Sequence, residues 1–200
     1  RKFEINHDGE IDFTASSEKV HFETNTKNTE WLGCIYFYTS GTTGKSKFVK
    51  TTYYQIVNAI NCIKEEKLMP YTENQSVLIT APLFHSYGLS CLIEYTAGTS
   101  KIVLPPTKEY VNPIQCLFNK NISTQVSAIE GVPYFYQQMA LFIKRIQLPN
   151  IQHIGMGGDA VSQKLLDKFH AKYDSLTFSI RYGITEIPSV VSLNYFKHSP

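Results

Sequence analysis

The chain has 200 residues and a mass of 22.8 kDa, enough for one substantial domain with a buried core at roughly 150 residues per domain. Its 42% apolar, 13% aromatic and 18% charged content excludes disordered, collagen-like and coiled-coil chains. Nineteen Lys and Arg against 17 Asp and Glu leave a formal charge of +2, which supplies neither the basic surface of a nucleic-acid binder nor an acidic tail, so no nucleic-acid partner is expected.

Residues 1–30 form a polar lead-in to the same domain, rich in turn formers such as Asn6-His7-Asp8-Gly9, with short strands predicted at Phe3–Ile5 and Lys19–Phe22. From Trp31 onward, short apolar β-branched runs alternate with longer amphipathic stretches. That alternation is the signature of βαβ units and predicts an α/β fold with a largely parallel sheet and flanking helices. Strands are predicted at Leu32–Tyr38, Ser76–Thr80, Lys101–Leu104, Thr124–Ile129, Ile151–Met156, Leu176–Arg181 and Ser189–Asn194. Helices are predicted at Tyr53–Lys67, Tyr87–Ala97, Pro113–Asn119, Pro133–Ile146 and Ser162–Lys172. Thr51 and Thr52 can cap the first helix, Pro133 takes a first-turn position that needs no N–H, and Ser162 precedes the apolar pattern Leu165, Leu166, Phe169. No repeat, low-complexity tract or linker divides the chain.

The four cysteines, Cys34, Cys62, Cys91 and Cys116, are widely spaced, with no CxxC and no His/Cys cluster, so zinc-ligand spacing is absent and free buried thiols in a reducing compartment are expected. No apolar stretch approaches the ~20 residues needed to span a bilayer, and the segment after Arg1 lacks a signal peptide's apolar core. The expectation is a soluble, cytoplasmic protein without a membrane span. The chain begins without Met and stops at Pro200 just after an apolar segment, as an excerpt of a longer protein would.

Four strings carry chemistry. Tyr38-Thr39-Ser40-Gly41-Thr42-Thr43-Gly44-Lys45-Ser46-Lys47 follows the first strand with hydroxyls, glycines and two lysines in succession. Glycines let backbone N–H groups turn toward an anion, hydroxyls add donors and a lysine offsets the charge of a polyphosphate. The plain alternative is a surface turn of small residues. Gly44-Lys45-Ser46 also reproduces the end of a Walker A loop, but that motif requires glycine at position 39 and a helix directly after its lysine, and neither is predicted here.

Ala81-Pro82-Leu83-Phe84-His85-Ser86-Tyr87-Gly88-Leu89 follows the strand Ser76–Thr80, which sets His85 near the carboxyl end of a parallel strand, where open α/β sheets bind ligands. A histidine flanked by Phe and Tyr is otherwise a packed or surface residue. Ile154-Gly155-Met156-Gly157-Gly158-Asp159-Ala160 also fits the dinucleotide pattern G-x-G-x-x-[GA], yet the acid at suitable spacing, Asp174, falls before the next strand rather than at its end. Arg181-Tyr182-Gly183-Ile184-Thr185-Glu186 closes a strand and, taken alone, is an ordinary strand-to-turn sequence.

Together and in this order, Tyr38–Lys47, Pro82–Leu89, Gly157–Asp159 and Tyr182–Glu186 resemble the signatures of the adenylate-forming superfamily: acyl- and aryl-CoA synthetases, luciferases and the adenylation domains of nonribosomal peptide synthetases. The superfamily loop reads [YF]-T-S-G-[ST]-T-G-x-P-K-G; Ser46 stands where proline is usual and Phe48 where the last glycine is usual. The resemblance covers about Trp31 to Asn194 and implies the central part of the large N-terminal domain of such an enzyme, with every motif meeting at one rim of the sheet.

The reaction it implies joins a small-molecule carboxylic acid to ATP with Mg2+, releasing pyrophosphate and leaving an acyl-adenylate. A thiol then captures the acyl group, from CoA or from the phosphopantetheine of an acyl carrier protein. By the same resemblance, Thr39, Ser40, Gly41, Thr42, Thr43, Gly44 and Lys47 face the β- and γ-phosphates and Glu186 takes Mg2+. Thr185 and His85 face the α-phosphate and carboxylate, while Tyr182 and Gly183 with Gly157, Gly158 and Asp159 hold the adenylate. His85, Tyr87, Gly131, Val132 and Ile184, with Tyr134 and Phe135, form an acid pocket suited to an aryl or medium apolar acyl group. Superfamily members continue to a ribose-binding aspartate, a hinge and a small C-terminal lid domain with a bridging lysine. Residues 31–200 are therefore expected to be an incomplete core, poorly active alone. Two other readings stay open: a degenerate adenylation-like domain that binds without catalysis, and a P-loop NTPase.

Overall fold

The computed structural model describes residues 33–39, 47–65, 74–105 and 112–197. Its first two strands, β1 (Cys34–Thr39) and β2 (Lys47–Thr52), pair antiparallel as a separate two-stranded sheet, with Thr39 opposite Lys47 and Cys34 opposite Thr52. β2 was not expected. Its residues Lys47, Phe48, Val49 and Lys50 read as loop because, among the described residues, the strand pairs on one edge and most of its side chains face outward. The strand after Lys47 also stands where a Walker loop requires a helix, which removes the P-loop reading. In β1 Phe37 alone is buried, while Tyr36 and Tyr38 are exposed.

Thr52 then starts α1 (Tyr53–Glu65) through a reciprocal cap: its hydroxyl accepts the Gln55 N–H at 3.3 Å and the Gln55 side-chain oxygen accepts the Thr52 N–H at 2.8 Å. β3 (Ser76–Ile79), α2 (Ser86–Ala97) and β4 (Lys101–Val103) follow. The predicted helix Pro113–Asn119 forms only a single turn, α3 (Pro113–Cys116), capped by Asn112, and Asn119 caps a second turn, α4 (Lys120–Ser123), beyond the predicted end. α4 displaces the strand predicted from Thr124, whose hydroxyl donates back to the Lys120 carbonyl, so β5 runs Ala128–Gly131 instead. α5 (Pro133–Leu141) stops five residues short of its predicted end, and β6 (His153–Gly157), α6 (Gln163–His170), β7 (Thr177–Tyr182) and β8 (Ser192–Lys197) complete the order. β8 starts later than predicted because Ser189 takes φ +69°, a turn conformation that no strand continues. The strands predicted at Phe3–Ile5 and Lys19–Phe22 lie outside the described residues.

The main sheet has the order β4-β3-β5-β6-β7-β8, parallel except for β8 at one edge, so the α/β expectation holds. Its two faces differ. Leu78, Ile129, Ile154, Met156 and Phe178 point to one side and pack on Leu117, Tyr136, Met139, Leu166 and Phe169 from α5, α6 and the α3 region. Val77, Ile79 and Ala128 point to the other and pack on Ile63 of α1 and on Cys91 and Tyr95 of α2. On that second side the same registers place Glu130 beside Gly155 and Gly155 beside Ser179, and Gly157 beside Arg181. Of the cysteines, Cys91 and Cys116 are buried but Cys34 and Cys62 are exposed, against the expectation of four buried thiols.

Candidate functional site

The chain leaves β3 for β4 on one side of it and returns to β5 on the other, which opens a crevice beyond the carboxyl ends of β3 and β5. A cavity of about 330 Å³ occupies that place. Ala81, Pro82, His85, Ser86 and Tyr87 contribute from the β3 side and Val132 from the end of β5. Gly158 follows β6, and Arg181, Gly183, Ile184, Thr185 and Ser189 come from the end of β7 and the loop beyond.

Seven residues chosen from the sequence therefore share one cavity: His85, Tyr87, Val132, Gly158, Gly183, Ile184 and Thr185. His85 occupies the position before α2, its N–H donating to the Pro82 carbonyl at 3.0 Å and its ring 4.5 Å from that of Phe84. The approach of α2 to the 81–82 backbone depends on Gly88, where a Cβ would lie 2.3 Å from the Pro82 carbonyl oxygen. Gly158 turns the chain out of β6 at φ +84°, a region glycine enters without cost.

Other expected residues stand beside the cavity rather than in its wall. Gly131 and Gly157 end β5 and β6, and Asp159 accepts the Ala160 N–H in an exposed turn. Tyr182 is 61% exposed, presenting a free aromatic face at the rim, and Glu186 is exposed in the following loop. Tyr134 points to solvent and Phe135 into the α5–α6 core, so neither belongs to the pocket. Thr39 and Lys47 face each other at the end of the hairpin that leads into residues 40–46, and its strands are not part of the six-stranded sheet; residues from the other three motifs meet at one rim of that sheet. Ser40, Gly41, Thr42, Thr43 and Gly44 lie outside the described residues.

Behind the cavity lies a layer that the sequence reading passed over. Arg181 Nη1 donates to Glu94 Oε2 at 2.5 Å and Nη2 to Glu130 Oε1 at 3.2 Å, with both carboxylates fully buried. Glu130 also accepts the Tyr87 hydroxyl at 2.9 Å and the Tyr95 hydroxyl at 2.6 Å, and Glu94 accepts the hydroxyl of Ser189. A buried carboxylate with several donors keeps its charge compensated, which is the condition for burying it at all. Glycine at 155 is what admits it: a Cβ there would lie 2.0 Å from Glu130 Oε2. The G-x-G string that fits a dinucleotide pattern thus has a packing cause in this chain, Gly155 clearing Glu130 and Gly157 clearing the Tyr87 ring. A charged residue in a central parallel strand, Glu130 or Arg181, was the available signal.

Titration follows from this layer. Burial first, and the Arg181 charge second, push His153 down to about 3, so the imidazole is neutral. Thr177 Oγ1 donates to the Gln152 carbonyl, so it accepts from His153 Nδ1–H at 3.0 Å, and Nε2 accepts from Ser179 at 3.0 Å. Burial, then the neighbouring Glu130 charge, raises Tyr87 well above the ordinary phenol range, so its hydroxyl stays a donor.

Among the described residues no group of three or more His, Cys, Asp or Glu side chains is placed to hold a metal ion. No helix among the described residues is long and apolar enough to cross a membrane.

Comparison with known proteins points the same way. The family model described as AMP-binding enzyme matches residues 3–200. The chain is 26% identical over 154 residues to 4-coumarate–CoA ligase-like 4 of Oryza sativa subsp. japonica, covering 76% of this chain and 27% of the rice protein. It is 28% identical over 149 residues to tyrocidine synthase 2 of Brevibacillus parabrevis, covering 74% of this chain and 4% of that one. Among solved structures, the O-succinylbenzoate coenzyme A synthetase of Bacillus subtilis in complex with ATP and magnesium ion is similar at a TM-score of 0.64 and 25% identity, over 80% of this chain and 32% of that chain. The chain therefore spans less than a third of the length of these relatives.

Proposed function

Since the chain belongs to the AMP-binding enzyme family, we propose that its protein activates a carboxylic acid with ATP to an acyl-adenylate, releasing pyrophosphate, and passes the acyl group to a thiol of CoA or of a carrier protein. The observation that carries this reading is the cavity at the sheet's switch point, where residues from three of the four motifs come together.

The residues suit the groups they would meet. Tyr182 offers an exposed ring for stacking on adenine, with Gly157, Gly158 and Asp159 forming the turn beside it. Thr185 and His85 both line the cavity, where a hydroxyl and an imidazole can hold the α-phosphate and the attacking carboxylate together. Glu186 is a hard, exposed carboxylate suited to Mg2+, and that ion with ATP supplies the electrophilic phosphorus and the neutralisation of its leaving group. Lys47, Thr39 and the loop 40–44 would take the β- and γ-phosphates. The protein's own share of the rate is orientation and charge placement, since the carboxylate itself is the nucleophile.

The test is calorimetric titration of the chain with Mg-ATP, with GTP and NAD as controls and Glu186→Ala as the variant. ATP-selective binding that weakens in the variant supports the reading. A preference for GTP or NAD, or ATP binding indifferent to Glu186, removes it.

A further inference from the structure

The polar layer behind the cavity does more than neutralise charge. Gly155 and Gly157 stand two apart on one face of β6, so this strip of sheet carries no side chains and would leave a groove running inward from the cavity. In this chain the groove is filled. The Tyr87 ring covers Gly157, its Cε2 and Cζ 3.0 Å from where a Cβ would be, and the Glu130 carboxylate covers Gly155. The two plugs are joined by the hydrogen bond from the Tyr87 hydroxyl to Glu130 Oε2 at 2.9 Å, and Tyr95 and Arg181 hold the other carboxylate oxygen from behind. Tyr87 lines the cavity; Glu130 does not.

The geometry points to Glu130 as a specificity-determining residue: by fixing the Tyr87 ring over Gly157 it closes the floor of the acid pocket, so that the site takes short-chain or single-ring carboxylic acids and rejects long alkyl chains. The inference rests on the adenylating reading above. Three features support the size limit. At about 330 Å³ the cavity lies near the lower end of ligand pockets, roughly 300–1,000 Å³, and it must hold the phosphoryl end of the adenylate as well as the acyl group. Besides the Tyr87 ring the cavity is lined by Val132 and Ile184, apolar side chains suited to a small acyl group. Beyond the ring lies a charged carboxylate, which an alkyl chain could reach only by stripping it of a donor.

Binding of stable acyl-adenylate analogues, the 5′-O-(N-acylsulfamoyl)adenosines with butyryl, benzoyl and dodecanoyl groups, tests this on the chain and on Tyr87→Phe, Tyr87→Ala and Glu130→Gln, each checked for folding by near-UV circular dichroism. The chain should bind the butyryl and benzoyl analogues about tenfold or more tightly than the dodecanoyl one. Tyr87→Ala should narrow that ratio about tenfold, and Tyr87→Phe and Glu130→Gln about threefold, through tighter dodecanoyl binding rather than a common loss. A merely structural role would weaken all three analogues alike. If Glu130→Gln does not fold, the two Tyr87 variants decide. An unchanged ratio in the folded variants, or equal binding of all three analogues by the unsubstituted chain, overturns the inference and leaves the adenylating reading intact. Binding of none of them, and of no AMP, overturns that reading and the inference with it.

Discussion

The two faces of the parallel sheet are built from the same strands with opposite chemistry. Ile129, Ile154 and Phe178 face one side, where apolar residues of α5 and α6 close over them. Their immediate neighbours Glu130, Gly155 and Ser179 face the other, where Arg181, Glu94, Glu130 and a neutral His153 are buried. The first face is held by apolar area and shape; the second adds buried pairing at β5–β7 to the apolar cluster of Val77, Ile79 and Ala128, and three residues tied into that pairing, Tyr87, Arg181 and Ser189, also line the cavity. The lesson is one of division: one face secures the fold, and the other carries its stability and the shape of the site in the same bonds.

The largest effect expected from that difference is at Arg181. Arg181→Met takes a cationic donor from two buried carboxylates and should cost roughly 3–5 kcal/mol of unfolding free energy, read by urea denaturation. Leu166→Ala on the apolar face should cost a comparable amount, roughly 2–5 kcal/mol. The two part company at the ligand: Leu166→Ala should leave the Kd for Mg-ATP unchanged, whereas Arg181→Met should weaken it. Equal behaviour would break the division between the faces.

Acid should act through the polar face next. The unfolded chain's histidine at 153 takes its proton near 6.5 and the folded one only near 3, so between those values the unfolded state holds the additional proton. Stability from this group is therefore complete above about pH 6.5 and falls by about 1.4 kcal/mol per pH unit below it. His153→Gln should flatten this part of the pH profile. Ser189→Ala comes third, losing a hydroxyl donor to a charged acceptor at a cost of roughly 1.5–3 kcal/mol, while Ser189→Gly should lose less because glycine relieves φ +69°. Smallest is Thr52→Ala, which removes one half of the α1 cap for about 1 kcal/mol, seen as a small drop in Tm with no change in ligand binding.

The same contrast explains what the sequence made legible. Strands with apolar residues on both sides, such as Ser76–Ile79, and helices with clean punctuation, such as Pro133 at the start of α5, stand out from composition and spacing alone. β2 does not, because a strand with Lys47, Phe48 and Lys50 exposed carries no core pattern. α4 is a single turn set by Asn119, too short for periodicity to register. In the site, His85, Thr185 and Gly158 are readable because each belongs to a local string that follows a strand. Glu130 and Glu94 belong to no string, and their partners lie 51 and 87 residues away in Arg181; only the folded sheet brings them together.

The measurement that most directly tests the account is acid-dependent exchange of labelled pyrophosphate into ATP by the full-length protein carrying this chain, across a panel of short, aromatic and long-chain carboxylic acids, with and without Thr185→Ala. The account predicts exchange that requires Mg2+ and a carboxylic acid, is strongest for short or single-ring acids and is lost in the variant. ATP hydrolysis without exchange, or exchange indifferent to the acid supplied, would contradict it.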